Sequence, residues 1–147
     1  MKTLRTAILL ALTFASGAEA APRPRVRDVV IHAGWTWGQG PSETFASTLT
    51  EAVDEGLAVC AAGRDLRLDL KIERLNIRRL GDIDLHRPNR LVAQVKVRQA
   101  RAVIDLQRID VQTPDEGLMA AVRDPELILA EAASQAICRT FFTAPAA

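Results

Sequence analysis

Tyrosine is absent from this chain, tryptophan occurs twice and phenylalanine four times. So few rings argue against an extended surface for stacking sugars or bases. Neither Gly-x-Gly-x-x-Gly nor Gly-Lys-Ser/Thr occurs, so the common phosphate-cradling loops are missing. The two histidines, His32 and His86, fall in different segments, and no serine sits in a Gly-x-Ser-x-Gly signature. No catalytic residue and no metal ligand is therefore assigned, no cofactor is implied, and an enzyme is not expected. Cysteine is limited to Cys60 and Cys138 with no Cys-x-x-Cys pair, which argues against a dithiol redox site.

What the chain does have begins at its first residues. Lys2 and Arg5 precede an apolar stretch from Ala7 to Phe14, and Ala18-Glu19-Ala20 fits the small-x-small rule of a signal peptidase site. The expectation is a signal peptide over residues 1–20, cleaved after Ala20, and a protein working in the periplasm. The apolar stretch is too short to span a bilayer, and no later segment is long or uncharged enough. No cysteine stands at the cleavage point, so a lipid anchor is not expected. Cleavage would remove Lys2, Arg5 and Glu19, turning 19 basic and 18 acidic residues into 17 and 17. A net charge of zero argues against nucleic acid or a polyanionic surface as the main partner.

The remaining 127 residues suffice for one core and are too few for two ordinary domains. Residues 21–25 carry two prolines and read as a flexible leader; residues 26–143 read as one domain and 144–147 as a tail. Val26, Val29, Val30 and Ile31 mark a first strand. Pro41 suits the first turn of a helix, with Gly40 or Ser42 as its cap and Glu43 near its N-terminus. Phe45, Leu49, Val53, Leu57 and Cys60 then share one helical face, and Gly63 is suited to end it. Leu66, Leu68, Leu70 and Ile72 alternate with Arg67, Asp69, Lys71 and Glu73, the pattern of a strand with one buried and one wet face. That phase slips at Arg74-Leu75, which predicts a bulge or a strand end. Leu91, Ala93, Val95 and Val97 form a third strand, with Gln94, Lys96 and Arg98 on its wet side. A fourth runs from Val103 to Val111. Asp124-Pro125-Glu126 caps a second helix whose apolar stripe is read as Leu127, Ala130, Cys138 and Phe141. The order β-α-β-β-β-α predicts an α+β two-layer sandwich, with two helices on one face of a four-stranded, mostly antiparallel sheet.

This topology has a consequence for the cysteines. If the first crossover is right-handed, the first two strands are parallel and both helices return in the same direction. Cys60 and Cys138 would then sit at neighbouring helix ends on the core side. In an exported chain such a pair is expected to form a disulfide, with Cα atoms about 4.4–6.8 Å apart.

Three segments are candidate sites. Trp35 and Trp37, set among Gly34, Gly38 and Gly40, would point the same way from an extended chain. They describe either a platform for a sugar ring or peptide, or a strand end whose tryptophans cover the core edge; the general burial of tryptophan favours the second. Asp82, Asp84 and His86 alternate and could together hold a divalent ion, but no fourth ligand lies near and the segment reads as a loop. Asp110, Asp115 and Glu116 cluster without a cleft to raise one pKa.

The run Asn89-Arg90-Leu91-Val92-Ala93-Gln94-Val95-Lys96-Val97, its turn, and Val103-Ile104-Asp105 resemble a hairpin of small envelope proteins. These are the curli-secretion (CsgG-like) domains and alphaproteobacterial lipoprotein-like domains. Their turn commonly reads Asp-Ala-x-Thr-Gly, whereas Gln99-Ala100-Arg101-Ala102 stands here, and their lipobox cysteine is missing. The resemblance covers the chain from Asn89 onward. It implies a periplasmic α+β module that assembles with other envelope proteins or with itself, and it transfers no functional residue.

Overall fold

In the computed structural model, residues 21–32, 40–78, 88–113 and 124–143 are described. The signal segment, Trp35 and Trp37, the Asp82-Asp84-His86 triplet, Asp115 and Glu116, and the tail from residue 144 lie outside them. The elements follow the expected order: β1 (Arg25–Ile31), α1 (Phe45–Cys60), β2 (Leu66–Asn76), β3 (Asn89–Gln99), β4 (Ala102–Thr113) and α2 (Pro125–Phe141). The strands line up as β1-β2-β3-β4, β1 parallel to β2 and the other two pairs antiparallel. β1 starts at Arg25, the last residue of the expected leader, and Pro24 before it is already buried.

The alternation in β2 produces the core directly. Leu66, Leu68, Leu70 and Ile72 are buried, and then Leu75 and Ile77 take over. The slip is a bulge at Glu73, since Ile72 pairs with Ala93 and Arg74 with Val92. One extra residue restores the inward phase. Leu91, Ala93, Val95 and Val97 of β3 all lie within 1% of complete burial, so the register read from the sequence holds. Phe45, Leu49, Val53 and Leu57 carry α1 onto this layer, and Leu129, Ala130, Ala133 and Ile137 carry α2.

Two helix details differ from the sequence reading. α1 starts at Phe45, with Thr44 as N-cap and no side-chain cap bond, rather than at Pro41. Ser42 is engaged elsewhere: its backbone N–H donates to Glu126 Oε1 at 2.7 Å, and its hydroxyl donates to the other carboxylate oxygen. This clamp ties the chain entering α1 to the first turn of α2, where a carboxylate is favoured by the helix dipole. The α2 stripe is also rotated from its expected phase. Leu127 is 45% exposed and Leu129 is buried in its place. Four consecutive apolar residues, 127–130, leave the phase open, and the inner face is built of small residues that let α1 approach.

That approach is close. A Cβ added at Gly56 would lie 2.1 Å from Ser134 Oγ. One turn further along both helices, Cys60 and Cys138 are bonded, with Cα atoms 5.8 Å apart. Equal steps of four residues on each helix require the two to run the same way, as the strand order predicts. Asp124 caps α2 by accepting from the Glu126 N–H at 2.9 Å. Gly63 ends the α1 turn at φ +76°, a region open to glycine at little cost.

Candidate functional site: the open face of the sheet

Both helices pack on one face of the sheet, so the alternate residues of every strand form a second, open face. Its composition can be read strand by strand from the pairing. β1 supplies Arg25 and Arg27 against Asp28; β2 supplies Arg67, Lys71 and Arg74 against Asp69 and Glu73. β3 supplies Arg90, Lys96 and Arg98 with no acid, and β4 supplies Arg108 against Asp110. Nine basic residues thus face four acidic ones.

Three of those acids are held by arginine. Asp69 receives Arg98 Nε at 2.7 Å and lies 3.3 Å from Arg27 Nε. Glu73, at the bulge, meets Arg108 at 3.0 Å. Asp110 takes a two-pronged contact from Arg90, with Nε donating to Oδ1 at 2.9 Å. Those hydrogen bonds hold the Asp110 carboxyl below its ordinary pKa; partial desolvation opposes them, and the charges of Arg90, Arg108 and Arg74 assist. The same bonds raise Arg90. Arg25, Lys71, Arg74 and Lys96 have no acidic partner in ion-pair reach among the described residues, and these four carry the positive surplus.

Arg25, Arg67 and Arg98 stand directly opposite one another on β1, β2 and β3. Like charges across strands are destabilising. Asp65 offsets part of this at Arg67, 2.8 Å away, as Asp69 does at Arg98. Next to this row the edge strand exposes Val103, Ile104 and Leu106, each nearly half accessible. Ile104 is the additional residue where the β3–β4 register shifts: Val97 pairs with Asp105 and Arg98 with Val103. Val30 adds a fourth exposed aliphatic on β1. At the opposite end of the face a shallow groove of about 340 Å³ opens between Glu73, Arg74, Asn76, Arg90 and Gln112.

The face itself was legible as the wet side of β2 and β3. Its charge was not, because a sum of zero over residues 21–147 hides a basic sheet face set against an acidic helix layer. From Ser42 to Cys60 there are four acidic residues and no basic one; from Asp124 to Phe142, three against Arg139 alone. Summing charge by face rather than by chain would have found it. No group of three or more potential metal-ligating side chains occurs among the described residues. No helix among the described residues is long and apolar enough to cross a membrane.

No family model matches the chain, so the curli-secretion resemblance gains no support there. No curated protein matches it either. Among solved structures, one described as a "putative lipoprotein" from Caulobacter crescentus CB15 is similar at TM-score 0.46 and 19% identity. The similarity covers 76% of this chain and 85% of that one.

Proposed function

We propose that this chain is an exported, non-catalytic domain of the bacterial cell envelope that works by protein–protein contact through the open face of its sheet. The observation carrying this reading is the one-sided architecture: a four-stranded face that neither helix covers, on which, among the described residues, cations outnumber acids and aliphatic side chains are exposed. Flat, mixed surfaces of this kind suit recognition of a complementary surface more than enclosure of a small substrate. Export is supported by the signal-like N-terminus together with the Cys60–Cys138 bond, since structural disulfides persist in oxidising compartments. The partner is an envelope protein or a second copy of the chain.

Chemical crosslinking of periplasmic extract followed by size exclusion tests this. The expected result is a discrete higher-mass species that is also seen by size exclusion without crosslinker and is lost there when Lys71 and Lys96 are both changed to Glu. A strictly monomeric protein that turns over a small substrate would overturn it. Tryptophan emission tests the rival role of Trp35 and Trp37. Blue-shifted, quencher-insensitive emission is expected, whereas emission that shifts with glycans or peptides would give the function to that loop.

A further inference from the structure

We infer that the acidic surface recognised by the open sheet face is the helix layer of a second copy of this chain, so that copies associate front to back. This rests on the contact reading above and names its partner. The two surfaces complement each other in charge and in apolar content. The sheet face presents Arg25, Lys71, Arg74 and Lys96, the cations on it without acidic partners in ion-pair reach among the described residues, and sets the exposed aliphatics Val30 and Leu106 beside Lys71 and Lys96. On the outward side of α1, Glu51, Glu55 and Val59 recur at steps of four, all three are exposed, and Val59 is 83% accessible. The outward stripe of α2 begins with Leu127 and Glu131 at the same spacing. Each layer therefore offers the other opposite charge around aliphatic contacts.

The dimensions agree with a specific interface. Strands of 7, 11, 11 and 12 residues at about 3.3 Å per residue, side by side at about 4.8 Å, give a face of roughly 650 Å². A standard interface buries about 800 Å² on each partner. A front-to-back contact uses two different patches of each copy, so it leaves a free sheet face at one end and a free helix face at the other. Association is open-ended and falls as salt screens the charges.

This geometry gives a test that a two-fold dimer would not pass. Sedimentation velocity at about 20 mM ionic strength should show the wild-type sedimentation coefficient rising with concentration, and about 0.5 M salt should return it to that of a monomer. Lys71→Glu/Lys96→Glu blocks the sheet face, and Glu51→Lys/Glu55→Lys blocks the helix face. All four positions are exposed or half-exposed, and circular dichroism verifies that both variants fold. Each variant alone should be monomeric. Mixed, they should associate again, because the intact sheet face of one meets the intact helix face of the other and the two reversed faces, Glu on the sheet and Lys on the helix, are again opposite in charge.

A wild type that stays monomeric at low salt overturns the inference, as does a mixture that remains monomeric. Monomeric wild type sedimenting with phosphatidylglycerol vesicles but not phosphatidylcholine vesicles would also overturn it and assign the face to anionic lipid. If self-association fails while periplasmic crosslinks from Lys71 or Lys96 still capture another protein, the second-copy inference falls and the contact reading stands.

Discussion

Removing the Cys60–Cys138 bond should lower stability by as much as emptying a large core position. The bond closes a loop with a sequence separation of 78 residues. In the chain-entropy model a loop of this size restricts the unfolded chain by an amount worth about 4.5 kcal/mol at 25 °C. A domain of this size loses about 3–5 °C in melting temperature per kcal/mol, so Cys60→Ala/Cys138→Ala should melt roughly 15–20 °C below the parent. The effect lies mainly in the unfolded state, which makes a second observable decisive. Without the bond the denatured chain expands and exposes more surface, so the urea m-value should rise as the midpoint falls. Circular dichroism melts and urea titrations of the parent, the parent with reductant and the double variant supply both quantities. A thiol assay on denatured, unreduced parent should find no free sulfhydryl. Two free thiols, or a melting point moved by less than about 2 °C, would refute the bridge and weaken the export argument that leans on it.

Ala100 adopts φ 53° in the β3–β4 turn. An L-residue there costs about 1–2 kcal/mol, partly offset by the entropy a glycine would add to the unfolded chain. Ala100→Gly should therefore stabilise by roughly 0.5–1 kcal/mol in urea titrations, and a loss of stability would contradict the turn geometry. At the helix contact, Gly56→Ala forces the Ser134 hydroxyl aside and should cost about 1–3 kcal/mol. Adding Ser134→Ala leaves a Cβ–Cβ distance of 3.5 Å and should recover that loss, with a gain of up to about 1 kcal/mol from helix propensity; additive effects of the two changes would contradict the packing. Asp110 should titrate below the ordinary aspartate value of about 3.9 when followed by NMR, and Arg90→Gln should return it towards that value. With a depressed folded-state pKa, the contribution is present above the ordinary aspartate value and is lost as pH falls through the folded pKa. An unshifted titration would show the Arg90–Asp110 pair to be absent in solution.

The architecture was readable because its strands and first helix each carry one unambiguous period. In β2 and β3 every second residue is aliphatic, and the one-residue slip after Ile72 announces the bulge at Glu73. The steps of four from Phe45 to Leu57 place α1 and bring Cys60 to its inner edge. What escaped was decided by tertiary context. Leu127 looks like a core residue, yet α2 turns Leu129, Ala133 and Ser134 inward because Gly56 on α1 permits a close approach. The Pro41-Ser42 signal for a helix start is overridden where Ser42 engages Glu126 across the domain. Nothing in the sequence of β4 says that it is the sheet edge, so the strand read over Val103 to Val111 gave no sign that Val103, Ile104 and Leu106 are exposed. The basic open face escaped because opposite charges reside on opposite layers and cancel in the sum.

Site-specific photocrosslinking in the cells that make the protein tests the contact role of the sheet face most directly. A photoreactive residue placed at Lys96, in the middle of the open face, should yield a covalent protein adduct of discrete mass. The same residue placed at Ala62, an exposed turn position just beyond α1 and off the open face, should yield far less. Adducts absent at Lys96 and Lys71 alike, with the protein folded and exported, would contradict a docking role for this face.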